Sequence, residues 1–147
     1  MLSTGIRGSQ SVDVNESNTA DALGSGDLPV FATPAMIALI EKTASQSVIA
    51  YLEMGMSTVG THLDIAHSAA TPIGMTVVCE TELVEIDRRR LVFNVRVYDS
   101  AGEVGSGTHE RFVVDAQRFL EKAELKALKR NRSPRPERCI RRRALPR

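Results

Sequence analysis

A single carboxylate sets the first question. Between Val30 and Met54 the chain reads VFATPAMIALIEKTASQSVIAYLEM, and Glu41 lies inside its apolar part. From Ala35 to Ile40 there is no charge, and a helix that is apolar on every face belongs where most of its surface is wrapped. A carboxylate in such surroundings is costly unless it is hydrogen-bonded, ion-paired or engaged in chemistry. Arg111 is a candidate for a structural ion pair with it. His67 is the second group of interest. Ser57 to Ser68 (STVGTHLDIAHS) alternates, placing Thr61, Leu63, Ile65 and His67 on one face and His62, Asp64 and Ala66 on the other. His67 is therefore expected to point inward, where a lone histidine is more often a hydrogen-bonded core residue than a catalyst. His62 shares a polar face with Asp64 and is expected in solvent. Thr33, directly ahead of Pro34, reads as a helix cap. His109, Glu110 and Arg111 read as a cross-strand charge network.

These groups need elements to hold them. The spacing predicts one long central helix within Val30 to Met54, preceded by a short strand at Gln10 to Val14 and a polar loop, Gly24 to Asp27. The loop is an ordinary surface connection or a lid over a site at the helix start. After Gly55 come four alternating stretches: Ser57 to Ser68, Met75 to Asp87, Leu91 to Asp99 and Val104 to Asp115. Met75, Val77, Cys79, Thr81 and Leu83 are expected inward on the second, and Leu91, Phe93, Val95 and Val97 share one face of the third. Charged or Gly-containing turns join the last three stretches, which predicts an antiparallel meander. A buried helix with such a meander is an α+β plan, and its exposed sheet edges invite pairing with a second copy.

Composition bounds the remainder. At 147 residues the chain is expected to form one domain, residues 1–129, followed by a disordered Arg-rich tail, residues 130–147. No apolar run is long enough to span a membrane and no secretory layout opens the chain, so a cytoplasmic location is expected. Cys79 and Cys139 lack metal-ligand spacing, and Cys79 is read as a small buried apolar residue. Through Gln117 seven Lys and Arg face fifteen Asp and Glu; from Arg118 onward twelve face three. The basic end is a weak argument for nucleic acid, because no aromatics are interleaved with it and no nucleic-acid module precedes it. A short amphipathic helix is expected from Ala116 to Lys129.

Three segments then match a known family: VFATPAM followed by Glu41, the strand VGTHLDIAHSAATPIG, and EVGSGTHERFVVD. Together they resemble the fluoroacetyl-CoA-thioesterase-like branch of the hotdog-fold thioesterases, from about Gly5 to Ala127. The resemblance implies a five-stranded antiparallel sheet wrapped around one long central helix, a homodimer or tetramer, and hydrolysis of an acyl-CoA at the dimer interface. It implies no metal and no cofactor other than the coenzyme A of the substrate. Residue by residue, it places the catalytic threonine at Thr33, the glutamate at Glu41 and the histidine at His67. Gly60 takes the position of the glycine whose amide faces the thioester oxygen, and Arg111 that of an arginine near the site. Where fluoroacetyl-specific enzymes carry phenylalanines that close over the substrate, this chain has Gly26, Asp27 and Leu28.

Thioester hydrolysis needs an activated water or a carboxylate nucleophile, and donors for the developing oxyanion. The resemblance implies that Glu41 supplies the first, as general base or through a transient anhydride. His67 would hold the carboxylate or shuttle the proton, Thr33 would orient Glu41 or the water, and Gly60 would let the backbone approach the carbonyl. Arg88, Arg89 and Arg90 are candidate contacts for the coenzyme A phosphates, although a solvated turn is the commoner reading of such a charge run. Thr33 and Glu41 are eight residues apart, about 12 Å along a helix axis, so a site using both is expected to be completed by a second protomer. The rival expectation is a non-catalytic hotdog module that binds acyl-CoA or another small ligand.

Overall fold

The computed structural model describes residues 1–132. The expected disordered tail therefore lies almost wholly outside the described residues. Five strands, β1 (Arg7–Asp13), β2 (Met56–His67), β3 (Thr76–Asp87), β4 (Arg90–Asp99) and β5 (Gly102–Asp115), form one sheet. All neighbours are antiparallel and the order is β1-β3-β4-β5-β2. The helices are α1 (Ala20–Leu23), α2 (Thr33–Ile49) and α3 (Ala116–Arg132). This is the expected α+β hotdog plan. The chain divides into a unit spanning Met1–Asp115 and a second beginning at Ala116. In the second, α3 extends past Lys129, and Phe119, Leu120, Leu125 and Leu128 are exposed. No helix among the described residues is long and apolar enough to cross a membrane.

The strands form where side chains alternate. Val77, Cys79, Thr81 and Leu83 on β3 and Leu91, Phe93, Val95 and Val97 on β4 are all buried, as period-two patterning requires. They meet the face of α2 carrying Met36, Leu39, Ile40, Thr43, Ala44 and Val48. Two apolar clusters result, Met36, Leu39 and Ile40 near the start of the helix and Ala44 with Val48 farther along. Gly8 lets β1 lie close to the helix, since a Cβ there would sit 2.7 Å from Ser47 Cβ and 2.9 Å from the Thr43 carbonyl oxygen. Cys79 is completely buried, and loss of hydration raises its thiol pKa to about 11, which suits a packing role.

Several expectations are corrected. The helix is shorter than the apolar run, and the sheet covers only one of its faces: Pro34, Ala38, Lys42 and Ile49 are exposed. Wrapping on most sides is not achieved within one chain. Ala32, not Thr33, occupies the N-cap position, and no side chain caps the helix. The β3–β4 turn consists of Arg88 and Arg89, with Arg88 in the left-handed region at φ 58°. Arg90 lies in β4 and ion-pairs with Glu85 and Glu110. Residues Ala20–Leu23 form a helical turn directly ahead of the Gly24 to Asp27 loop.

The irregularity that matters most lies in β2. Pairing with β5 runs Gly60↔Arg111 and then His62↔Glu110, so Thr61 is an extra residue. A bulge re-aims every side chain beyond it. Strict alternation would set Gly60 and His67 on opposite faces. With the bulge, Gly60, Leu63, Ile65 and His67 lie opposite Arg111, His109, Gly107 and Gly105 in turn, and all eight belong to the helix-facing side. Thr61 leaves that side, and its hydroxyl donates to the Glu110 carbonyl at 3.3 Å.

Candidate active site

The five candidates gather into two groups along α2. At the first turn the Thr33 hydroxyl lies 2.8 Å from His67 Nδ1. Thr33 is free for this contact because it does not cap the helix. The other ring nitrogen, His67 Nε2, is buried and has no hydrogen-bond partner among the described residues. Burial lowers the His67 pKa, an effect opposed by the Ala69 backbone, so the neutral imidazole is favoured. His67 also borders an open depression of about 230 Å³ with Val30, Phe31, Ser68 and Ala69. A depression of about 450 Å³ on another part of the sheet, bordered by Arg7, Glu80 and Arg96, holds none of the candidates.

About two turns farther along the helix, Glu41 meets β5. Its Oε2 accepts from Arg111 Nη1 at 3.3 Å. Arg111 is the hub of this group. Its Nε donates to the Thr58 hydroxyl at 2.8 Å, its Nη2 to the Thr58 carbonyl at 3.0 Å, and its Nη1 also to His109 Nε2 at 3.2 Å. The Arg111 side chain is 7% exposed and the Glu41 side chain 41%. Burial pulls the Arg111 pKa down and the Glu41 charge opposes that shift. The expectation of a deeply buried carboxylate is thereby corrected: Arg111 is buried, whereas Glu41 is anchored at one oxygen with much of its surface open. A Cβ on Gly60 would fall 2.6 Å from Glu41 Oε2 and 3.3 Å from Arg111 Nη1. The bare backbone of Gly60 is what leaves room for the carboxylate.

Within one chain, Thr33 is thus joined to His67, and Glu41 to Arg111 beside Gly60. His109, which the sequence offers only as part of a charge network, and Thr58, which does not stand out in it, complete the second group. His109 is fully buried, stacks on Phe93 with ring centroids 6.4 Å apart, and places Nδ1 2.8 Å from the His62 carbonyl oxygen. The available signal was its spacing of two from Arg111, which puts both side chains on one face of a strand. His62, expected in solvent, is exposed.

Chemically, the first group offers a hydroxyl and an imidazole with an uncommitted nitrogen. The second offers an accessible, oriented carboxylate. These are proton-transfer and nucleophilic groups.

Comparison with known proteins identifies the family. A family model described as fluoroacetyl-CoA-specific thioesterase, FlK, matches residues 14–117. The fluoroacetyl-CoA thioesterase of Streptantibioticus cattleyicolor is 41% identical over 97 residues, covering 66% of this chain and 70% of that protein. A crystal structure of a mutant FlK superposes with a TM-score of 0.80 at 35% identity, covering 86% of this chain and 98% of the other. A second FlK mutant, in complex with acetyl-CoA, gives a TM-score of 0.81 at 34% identity over 85% and 98% of the two chains. A thioesterase superfamily member from Thermus thermophilus shares the fold at 22% identity, with a TM-score of 0.78 over 89% and 96%. This chain belongs to the fluoroacetyl-CoA-specific thioesterase family and has its hotdog fold.

Proposed function

We propose that this protein hydrolyses the thioester of a small acyl-CoA, releasing the free acid and coenzyme A, at a site built from Thr33, Glu41 and His67. Membership of a thioesterase family makes the chain a thioester hydrolase of acyl-CoA. The observation that carries the residue assignment is the placement of Glu41, oriented by Arg111 at one oxygen, partly open, and passing the bare backbone of Gly60. A carboxylate so placed accepts a proton from water as the water attacks the thioester carbon, or attacks that carbon itself. In either route the carbonyl oxygen gains charge that the Gly60 amide would stabilise. The C–S bond then breaks and the sulfur leaves as the coenzyme A thiolate; by the first route the acid forms directly with the oxygen of the water, and by the second a water then hydrolyses the acyl-Glu41 anhydride, freeing the acid and restoring the carboxylate. His67, hydrogen-bonded to Thr33, relays to the leaving sulfur the proton that Glu41 takes from the water.

The site is completed by a second copy of the chain. Two observations support that reading: Thr33 and Glu41 are separated by about 12 Å of helix, and the helix face carrying Ala38 and Lys42 is uncovered. Strand β2 lies at an edge of the sheet and offers backbone groups for pairing. Arg88 and Arg89 at the hairpin tip are the candidates to meet the coenzyme A phosphates, because Arg90 is occupied by Glu85 and Glu110. Leu28 is 64% exposed in the loop where fluoroacetyl-specific enzymes carry phenylalanines. The acyl group is accordingly expected to be selected by size rather than by fluorine.

Free-thiol release from acetyl-, fluoroacetyl-, propionyl- and butyryl-CoA, with wild type and Glu41→Ala side by side, tests this reading. Turnover that collapses in the variant while its mass in solution and its melting stay those of wild type supports the proposal. Binding without turnover would make the chain a ligand-binding module with Glu41 as a structural partner of Arg111.

A further inference from the structure

The hydrogen bonds around His109 determine more than its packing. A carbonyl oxygen only accepts, so the contact between Nδ1 and the His62 oxygen at 2.8 Å requires the proton on Nδ1. In the neutral ring Nε2 is then a lone pair, and it accepts from Arg111 Nη1 at 3.2 Å. That same Nη1 donates to Glu41 Oε2 at 3.3 Å. Contacts thus run without a break from the His62 carbonyl through His109 and Arg111 to Glu41, with Arg111 donating toward both His109 and the carboxylate. Phe93 of β4 holds the ring by stacking, and His109 is fully buried. The groups that face it are Arg111 on its own strand, Glu41 from α2 and the His62 backbone from β2, with Glu110 nearby.

We propose that His109 is a positioning residue for the thioester hydrolysis: its Nδ1-protonated neutral tautomer fixes the guanidinium of Arg111 and thereby the aim of Glu41. The proposal rests on the thioesterase reading and deepens it. Adding a proton at Nε2 would set two N–H groups against each other and place a cation beside a cation. Arg111 would then lose one of its anchors and Glu41 its orientation. Burial keeps the ring neutral, and the Arg111 charge acts in the same direction.

Two measurements test this. In nitrogen-15 NMR of the full-length wild type, the His109 ring is expected to show a protonated Nδ1 and a bare Nε2, and to take up its proton only below the ordinary histidine range. A bare Nδ1 would overturn the proposal without touching the thioesterase reading. In kinetics, His109→Asn keeps a donor near Nδ1 but reaches no acceptor to Arg111, and kcat is expected to fall about 30-fold with KM changed less than about twofold. His109→Gln places an acceptor near Nε2 and is expected to recover kcat to within about threefold of wild type. Its acid limb of kcat against pH should lose one ionisation. Native kcat and an unchanged acid limb in the folded Asn variant, or no difference between Asn and Gln, would overturn the proposal. A wild type inactive on every acyl-CoA would overturn the hydrolase reading, and with it the catalytic role, whatever tautomer the spectrum reports.

Discussion

At the first turn of α2, Thr33 and His67 share one hydrogen bond and His67 Nε2 has no partner among the described residues. Two turns on, Arg111 donates to Thr58 twice, to His109 and to Glu41, and sits almost wholly out of solvent. The second group is a framework: a buried guanidinium is tolerated because its donors are satisfied. Through that framework one partly exposed carboxylate is held still. The first group is small and incomplete, with a buried nitrogen whose hydrogen-bonding capacity is unspent, and such orphans are retained where chemistry uses them. In the reading proposed above, one region holds the carboxylate and the other exchanges protons. The hydrolysis proposed here needs both, and the length of helix between them is why neither suffices alone.

The contrast can be broken at its most sensitive point. Glu41→Gln keeps the shape and an acceptor for Arg111 but removes the base, so kcat is expected to fall about a thousandfold in a protein that melts like wild type. A loss under about tenfold would return Glu41 to the structural ion pair that the bare sequence also allows. Gly60→Ala comes next. Its Cβ would approach Glu41 Oε2 to 2.6 Å, and since that atom ends a flexible side chain the carboxylate moves while the strand stays. A fall of about a hundredfold in kcat is expected. Normal turnover in this variant would show that Glu41 works from another position.

The first group should respond more mildly. Thr33→Val removes the hydroxyl from His67, and about a tenfold loss in kcat is expected, with Thr33→Ser restoring most of it. Equal loss in both variants would point to the methyl group and to packing instead. A smaller effect sharpens the comparison through pH. Burial lowers the folded-state pKa of both His67 and His109 below the ordinary 6.5. The unfolded chain therefore takes up protons first as pH falls. The stability conferred by the neutral rings is complete above about 6.5 and is lost as pH drops from there through the lowered folded values. Urea midpoints should be flat from pH 8 to 7 and fall below 6.5, with a shallower fall in His109→Gln. An acid-side rise in the midpoint would contradict the assignment of both rings as buried and neutral.

Much of this was legible in the chain itself. Alternation at Val77, Cys79, Thr81 and Leu83 and at Leu91, Phe93, Val95 and Val97 placed the core correctly, because side-chain direction in an extended chain has a period of two whatever it packs against. The apolar stretch after Pro34 likewise announced the central helix. The same local logic failed where a neighbour decides. Uniform apolarity suggested a helix wrapped all round, yet the sheet of one chain covers one face only. Thr33 had the chemistry of a cap, but its hydroxyl goes to His67, a partner 34 residues away.

By itself, then, the sequence determined the strands, the helix, the residue types of the candidate site and, through three motifs, the family. Tertiary structure alone decided how those residues meet. The bulge at Thr61 put Gly60 and His67 on one face, and pairing of β2 with β5 set Gly60 opposite Arg111. Burial of Arg111 and His109 then made part of the cross-strand charge network the support for Glu41. Local patterning specifies which way a side chain points from its own backbone. An extra residue in a strand, a pairing register and a shared hydrogen-bond donor depend on groups brought from distant parts of the chain, and only the folded sheet assembles them.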